Sequence, residues 1–193
     1  MDYKGDKYYI RKTVDGNRNA FSMLVDRYKD NVYSLAFRMC NRAEEAEEIA
    51  QDSFMKAFRS LNKFRGTSSF STWLYRITYN TTVSSLRKRE NQVLNLEDFP
   101  VDAVDFIQDN NDERDEEIEY KRTILNFALQ KLSPDDRALI SMYYYQELVP
   151  EEIVKVLGIS KSNLKVKLHR ARKKMEEIIV KNQIREKISY EKV

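Results

Sequence analysis

The sequence predicts an all-α protein made of two small helical domains joined by an acidic, largely irregular linker. Only four Gly and three Pro occur among its 193 residues, 34% of the residues are charged, and apolar residues recur at helical spacing through long stretches. We expect an N-terminal helical bundle over residues 1–89, a linker over 90–117 and a C-terminal helical domain over 118–193.

The distribution of charge follows this division. Residues 1–89 carry 17 Lys and Arg against 10 Asp and Glu, residues 90–120 carry 1 against 12, and residues 121–193 carry 16 against 9. Two basic blocks suit a polyanionic partner, because each phosphate that they neutralise releases counterions. The acidic connector loses helical periodicity and contains Pro100, which predicts a linker that cannot itself lie on DNA.

Composition excludes several classes of protein. Cys40 is the only Cys, so an intramolecular disulfide or a multi-thiolate zinc site cannot form, and the apolar residues beside it indicate a buried thiol. His169 is the only His, and no Gly-rich phosphate loop occurs, so we expect neither an enzyme nor a cofactor or metal. Without a signal-like or membrane-spanning apolar run, we expect a soluble cytoplasmic protein.

Two helices are predicted before residue 61. Residues 17–40 place apolar side chains at helical spacing until Asn41 breaks the pattern. Residues 43–60 begin with acidic residues and carry Lys56 and Arg59 near their end, as the helix dipole favours. A loop containing Gly66 follows.

Residues 64–89, FRGTSSFSTWLYRITYNTTVSSLRKR, hold the only Trp, a row of hydroxyl residues and a basic end. Ser71 or Thr72 is expected to cap a helix here. Residues at spacings of three and four share one face of that helix: Trp73, Arg76, Asn80, Ser84 and Arg87. Rings stack on unpaired bases, amides and hydroxyls reach base edges and cations neutralise phosphates, so the face suits single-stranded nucleic acid. A core Trp beside a solvated basic end explains this segment too, and the segment alone leaves both interpretations open.

The C-terminal part of the sequence predicts a helix-turn-helix. Ser133 followed by Pro134 starts one helix, Pro150 starts a short one, Gly158 ends it, and Ser160 or Ser162 caps the last. The last helix is basic on one side and keeps a buried seam at Leu164, Leu168, Ala171 and Met175. Tyr143, Tyr144 and Tyr145 are expected to pack in the core and on the surface rather than to form a stacking platform.

Residues 17–89 and 118–178 resemble the extracytoplasmic-function (ECF) group of bacterial RNA polymerase sigma factors. AEEIAQDSFMKAFRSLNKFRG looks like the family's polymerase-clamp helix and the loop after it, and SSFSTWLYRITYNTTVSSLRKR looks like its promoter-melting helix. LSPDDRALISMYYYQELVPEEIVKVLGISKSNLKVKLHRARKKM looks like its C-terminal helix-turn-helix. The resemblance implies that 1–89 is a sigma-2-like domain and 118–193 a sigma-4-like domain, with the linker threading the polymerase channels.

The resemblance also implies roles for individual residues. The minus-ten DNA would be bound by Phe64, Arg65, Gly66, Thr67, Ser68, Ser69, Trp73, Arg76, Asn80, Ser84 and Arg87. The minus-thirty-five DNA would be bound in the major groove by Ser162, Asn163, Lys165, Val166 and His169, and through phosphates by Lys161, Lys167, Arg170 and Arg172. Core polymerase would be bound by Glu48, Gln51 and Asp52. Two departures from the family are Val149-Pro150 at the start of the penultimate helix and Lys in place of Arg on the last, and Lys lacks the fork that reads guanine.

The expected function is therefore promoter-specific transcription initiation with core RNA polymerase and promoter DNA, and with an anti-sigma factor as a further partner. Polymerase would perform all the chemistry. The alternative is an autonomous DNA-binding regulator, which would bind duplex DNA tightly without polymerase, usually as a dimer. That alternative leaves the aromatic helix and the acidic linker unexplained.

Overall fold

A computed structural model of the chain describes residues 5–93 and 116–190. Within these ranges the regular structure is helical and no strand occurs, as the sequence predicted. The helices, in chain order, are α1 (Asp6–Val14), α2 (Asn19–Cys40), α3 (Ala43–Ser60), α4 (Phe70–Val93), α5 (Glu116–Gln130), α6 (Pro134–Tyr144), α7 (Pro150–Leu157) and α8 (Lys161–Tyr190), with a short 3-10 turn at Leu61–Lys63.

The N-terminal helices pack around α2. Its apolar face buries Leu24, Leu35 and Met39 fully, and Leu74 of α4 is equally buried in the same core. Asn41 ends α2 in the left-handed conformation, at φ 57°, which Asn tolerates better than most residues. α1 is tied to α2 because Asp6 binds the Arg27 guanidinium and accepts a hydrogen bond from the Tyr28 hydroxyl, at 2.6 Å.

The acidic helix α3 has the bounds that its charge pattern predicted. Ala46 and Ile49 pack with Ala36, Phe37 and Cys40 of α2 in a second apolar cluster. The predicted burial of the Cys40 thiol is confirmed, since the residue is 5% exposed.

The predicted linker is helical at both edges. α4 runs past Arg89 to Val93, and α5 begins at Glu116 rather than Ile118. The sequence offers no helix breaker at Arg89, so the basic residues there do not end the helix. Residues 94–115, most of the predicted linker, lie outside the described residues.

The C-terminal helix starts follow the predicted caps. The Ser133 hydroxyl accepts a hydrogen bond from the Asp136 backbone N–H at 3.2 Å, and Pro134 occupies the first turn of α6. Gly158 ends α7 at φ 67°, a conformation that costs a residue with a Cβ, although the space around it is open. Ser160 caps α8 through the Asn163 N–H at 3.2 Å.

The N-terminal and C-terminal helices are in contact. α6 packs on α2, α7 packs on α4, and one apolar cluster includes buried residues from both sets of helices. These contacts lie between residues far apart in the chain, and no sequence period indicated them.

Candidate nucleic-acid interface

The loop before α4 is held by a cluster of four aromatic side chains. The Trp73 ring centroid lies 5.1 Å from that of Phe64 and 5.7 Å from that of Phe70, and Tyr28 of α2 lies 5.6 Å from Phe70. Phe70 is buried, whereas Phe64 and Trp73 are half-buried. Trp73 therefore packs one part of its ring on the loop and leaves another part at the surface. Such a ring can support the loop and still have an open face for stacking.

The start of α4 differs from the prediction. The expected cap at Ser71 or Thr72 is wrong, because α4 already begins at Phe70 and the Ser69 hydroxyl accepts from the Thr72 N–H at 3.1 Å. Ser69 Oγ also lies 2.9 Å from Ser71 Oγ and 2.6 Å from Thr72 Oγ1. With Phe70 buried and Ser69 as the cap, the helix starts two or three residues earlier than a cap at Ser71 or Thr72 predicts.

The predicted polar face of α4 is accessible along its length. Arg76, Asn80, Ser84 and Arg87 are all exposed, but the Ser84 hydroxyl donates to the Asn80 carbonyl at 2.8 Å. In the preceding loop Arg65, Gly66, Thr67 and Ser69 are exposed and Ser68 is half-buried. The predicted minus-ten residues thus form a continuous strip with Trp73 between its loop and helix parts.

Many of the hydroxyl groups cannot reach a ligand. Four threonines of α4 are buried: Thr72, Thr78, Thr81 and Thr82. Thr78 and Thr82 donate to backbone carbonyls one turn back, at 3.1 and 2.9 Å, and Thr81 accepts from Lys56 Nζ at 3.1 Å. In the sequence these hydroxyl residues form one row, which suggested a single polar surface. A short hydroxyl side chain can nevertheless be buried between helices, because it can donate its hydrogen bond to a backbone carbonyl of its own helix.

On α3, Glu48, Gln51 and Asp52 are exposed and stand at the spacing of one helix face, opposite the buried Ile49, Ser53 and Phe54. Glu45, one turn earlier, instead turns toward α4. Its carboxylate lies 3.5 Å from the Arg89 guanidinium and accepts from the Ser85 hydroxyl at 3.0 Å. The charge pattern of α3 predicts only a helix-dipole role for Glu45, because an ion pair between two helices leaves no local signal in the sequence.

The second exposed surface is the N-terminal half of α8. The turn between α7 and α8 is held by Gly158, and Ile153, Val156, Leu164, Leu168 and Ala171 are buried beneath it. The predicted minus-thirty-five residues are exposed, except for the half-buried Lys167: Lys161, Ser162, Asn163, Lys165, Val166, Lys167, His169, Arg170 and Arg172. A helix-turn-helix with such a face can enter a major groove.

Two cations of α8 already have partners within the chain. Lys161 Nζ lies 2.8 Å from Glu151, and this hydrogen bond lowers the pKa of the Glu151 carboxyl. The Arg172 guanidinium lies over the rings of Tyr143 and Tyr144, 5.2 and 5.4 Å from their centroids. Those tyrosines pack on each other and on Arg172, and Tyr143 also packs against the core.

In the part of the chain that the structure describes, no group of three or more His, Cys, Asp or Glu could hold a metal ion. Over the same residues, no helix combines the length and the apolar character needed to cross a bilayer.

The fold and these surfaces define an all-helical protein with an aromatic, basic helix in its N-terminal part and a helix-turn-helix in its C-terminal part. The family model of Sigma-70 region 2 matches residues 24–92, and that of Sigma-70, region 4 matches residues 122–175. The chain is 33% identical over 184 residues to the ECF RNA polymerase sigma factor SigW of Bacillus subtilis (strain 168), covering 86% of this chain and 92% of SigW. It is 30% identical to RNA polymerase sigma factor YlaC of the same organism, covering 89% of this chain and 99% of YlaC. The protein belongs to the ECF group of the sigma-70 family.

Two solved structures share the fold. RpoE of Bartonella quintana, in complex with the anti-sigma factor NepR, superposes with a TM-score of 0.69 at 23% identity, over 82% of this chain and 96% of that one. CnrH in complex with the cytosolic domain of CnrY gives a TM-score of 0.65 at 22% identity, over 90% and 96%.

Proposed function

We propose that this protein binds core RNA polymerase in the cytoplasm and directs it to promoters, where α8 reads minus-thirty-five duplex DNA and the strip of 64–69 and α4 holds the melted minus-ten strand. The observation that carries the proposal is that one chain of this family presents both an exposed helix-turn-helix face and an accessible aromatic and basic helix face. A duplex-binding regulator needs only the first.

The minus-ten strip has the parts that an unpaired strand requires. Trp73 offers a ring for stacking, Asn80 offers an amide for a base edge, and Arg76 and Arg87 offer cations for phosphates. Extruding a base costs a few kcal/mol of stacking, which a pre-shaped loop and the binding to polymerase must offset. The aromatic packing of Phe64 and Phe70 on Trp73 supports such a pre-shaped loop.

The minus-thirty-five surface divides into two groups. Ser162, Asn163, Lys165, Val166 and His169 are proposed to reach base edges, and Lys161, Lys167, Arg170 and Arg172 to contact phosphates, which position the protein without specifying sequence. When DNA binds, Lys161 would either leave Glu151 or contact Glu151 and a phosphate together. Arg172 would likewise either leave the tyrosine rings or contact them and a phosphate together.

Protein partners complete the proposal. Glu48, Gln51 and Asp52, exposed on α3, are proposed to meet core polymerase. The two structural neighbours were solved with CnrY and with NepR, so we propose that an anti-sigma factor also binds this chain. The protein itself would make no covalent change, since polymerase performs the chemistry.

The proposal is tested by run-off transcription from candidate promoters with purified core polymerase, with and without the protein. Promoter-specific transcripts should appear only with the protein and should fall by about tenfold or more with Trp73→Ala or Asn80→Ala. Lys29→Ala serves as the matched control, because Lys29 is exposed on α2 and its ion pair is with Asp26 of the same helix. Failure to stimulate transcription or to bind core polymerase, together with tight duplex binding by the protein alone, would refute the proposal in favour of the autonomous regulator.

A further inference from the structure

Tyr28 of α2 contacts both the helix α1 and the aromatic cluster at the start of α4. Its hydroxyl donates to Asp6 of α1 at 2.6 Å, and its ring centroid lies 5.6 Å from that of Phe70. Phe70 is 2% exposed and packs in turn on Phe64 and Trp73, with 6.0 and 5.7 Å between the ring centroids. A continuous chain of contacts therefore leads from a carboxylate of α1 to the aromatic rings of the proposed minus-ten strip.

The Asp6 carboxylate binds a second group of α2. It pairs with the Arg27 guanidinium, which lies 5.7 Å from the centroid of the Tyr9 ring on α1. The side chains of Asp6 and Arg27 are only 24% and 23% exposed, so the pair is shielded from most of the solvent. Burial and the hydrogen bond to Asp6 raise the pKa of the Tyr28 hydroxyl, which therefore stays protonated and donates at neutral pH.

The helix α1 also supports the start of the loop that precedes α4. It contacts the 3-10 turn at Leu61–Lys63, and Phe64 follows this turn directly. Residues 65–67 are exposed and add little buried surface of their own. The loop is therefore supported by α1 at its start, through the 3-10 turn, and at its end, through Tyr28 and Phe70.

A local explanation of Asp6 also exists. Asp6 lies in the first turn of α1, where a carboxylate interacts favourably with the helix dipole. That role needs no contact with α2. It explains neither the hydrogen bond from the Tyr28 hydroxyl nor the ion pair with Arg27.

We propose that Asp6 is a positioning residue for minus-ten recognition, which acts by holding the ring of Tyr28 against Phe70. This packing fixes the loop of residues 64–69 and the orientation of the Trp73 ring before DNA binds, and Asp6 itself contacts no DNA. A loop that is ordered in advance loses less conformational entropy when a strand binds, so the affinity for the strand is higher. The identity of the strand rests on the proposed function, whereas the positioning is a property of the free chain.

The fluorescence of Trp73, the only Trp of the chain, tests the positioning in the free full-length protein. Quenching by acrylamide, which carries no charge, is compared in the unchanged chain, Asp6→Ala and Tyr28→Phe. Both variants should raise the quenching constant, because the loop no longer stays packed on one part of the Trp73 ring. Tyr28→Phe keeps the ring and leaves every charge of α1 in place, so a rise in this variant cannot come from the helix dipole.

Two further variants show whether the effect runs through the bond between Asp6 and Tyr28. Asp6→Ala/Tyr28→Phe should have the same quenching constant as Asp6→Ala, because two residues that act through one shared contact are not additive. Asp15→Asn is the matched control, since Asp15 at the C-terminal end of α1 is exposed and pairs with Arg11. Its quenching constant should equal that of the unchanged chain. Circular dichroism checks that each variant is folded.

DNA binding separates positioning from a general loss of stability. The complex with core polymerase is bound to a fork probe with an unpaired minus-ten strand and to a duplex probe that ends upstream of that element. Asp6→Ala and Tyr28→Phe should weaken binding to the fork probe by about three- to tenfold and leave binding to the duplex probe unchanged. A residue that only stabilises the fold would not distinguish the two probes.

Unchanged quenching of Trp73 in either Asp6→Ala or Tyr28→Phe would overturn the inference, and so would an equal rise in Asp15→Asn. A double variant whose effect is the sum of the two single effects would also overturn it, as would equal losses on the fork and duplex probes. Absence of promoter-specific transcription with the unchanged chain rejects the proposed function alone, whereas unchanged quenching rejects the positioning alone.

Discussion

Glu45 on α3 and Arg89 on α4 form an ion pair, with 3.5 Å between the carboxylate and the guanidinium, at the end of the helix proposed to hold melted DNA. The Glu45 side chain is 15% exposed and also accepts from Ser85, so the pair is partly shielded from water. Of the three cations at positions 87–89, Arg87 and Lys88 are more exposed than Arg89. The end of α4 therefore uses one cation to fix its position and presents two to solvent.

Replacement of Glu45 tests this role. Glu45→Ala should lower the free energy of unfolding by about 1 kcal/mol, because it removes a partly shielded ion pair and a hydrogen bond to a charged group. Urea unfolding followed by circular dichroism gives the value. Glu44→Ala is the control, since Glu44 is exposed in the same turn and shares the favourable helix-dipole position. An equal loss in the two variants would mean that only the dipole matters.

The buried threonines of α4 lead to a prediction about which polar groups touch DNA. Thr78→Val should leave promoter-specific transcription unchanged and alter stability by less than about 1 kcal/mol, because the Thr78 hydroxyl donates only to the Leu74 carbonyl within α4. Asn80→Ala, two residues later, should lower transcription by about tenfold, the value of one lost hydrogen bond of ~1.4 kcal/mol. Run-off transcription by the two variants compares them directly. Equal losses would show that the effect is structural.

Adjacent residues on α8 should affect DNA binding in different ways. Arg170→Ala should weaken promoter binding for all sequences and reduce the slope of log K against log salt by about 1, as the loss of one phosphate contact does. His169→Ala should keep that slope and relax the preference at one base pair by ~1–3 kcal/mol. Binding of the complex with core polymerase to promoter variants at several salt concentrations measures both. An unchanged slope of log K against log salt in Arg170→Ala would show that Arg170 does not contact a phosphate.

Local chemistry predicted much of this fold. The bounds of α3 and α7 and the caps at Ser133 and Ser160 follow from charge, Pro, Gly and hydroxyl signals within a few residues. The predicted cap of α4, Ser71 or Thr72, is wrong because Ser69, on the other side of Phe70, also has a hydroxyl and the buried Phe70 lies inside the helix. Local signals place a helix, but packing places its first turn.

The contacts between distant parts of the chain could not be predicted in this way. The bond from Glu152 to Thr72 joins residues 80 positions apart, and Glu152 has a complete local explanation as a helix-start carboxylate. Likewise, Tyr79 and Asp135 fit their own helices, and nothing in either pattern requires the other. The pattern of each helix could therefore be predicted from the sequence, whereas the contacts between the two parts of the chain could not.

The buried thiol gives a prediction for stability against pH. Burial of Cys40 among Phe37, Ala46 and Ile49 raises the pKa of its thiol to about 11, from the ordinary value of 9.0 for a thiol in water. Between these two pH values the thiol of the unfolded chain loses its proton, whereas that of the folded chain keeps it. The contribution of the thiol to the free energy of unfolding is therefore fully present below about pH 9 and is lost as the pH rises toward 11. From about pH 8 to about pH 10 the loss should be ~1 kcal/mol. Urea unfolding of the unchanged chain and of Cys40→Ala at both pH values isolates this loss from the titration of Tyr and Lys, which both proteins share. A steeper fall of the free energy of unfolding in the unchanged chain than in Cys40→Ala would show that the thiol is shielded from water between α2 and α3. Equal falls in the two proteins would show that the thiol titrates alike in the folded and unfolded chains.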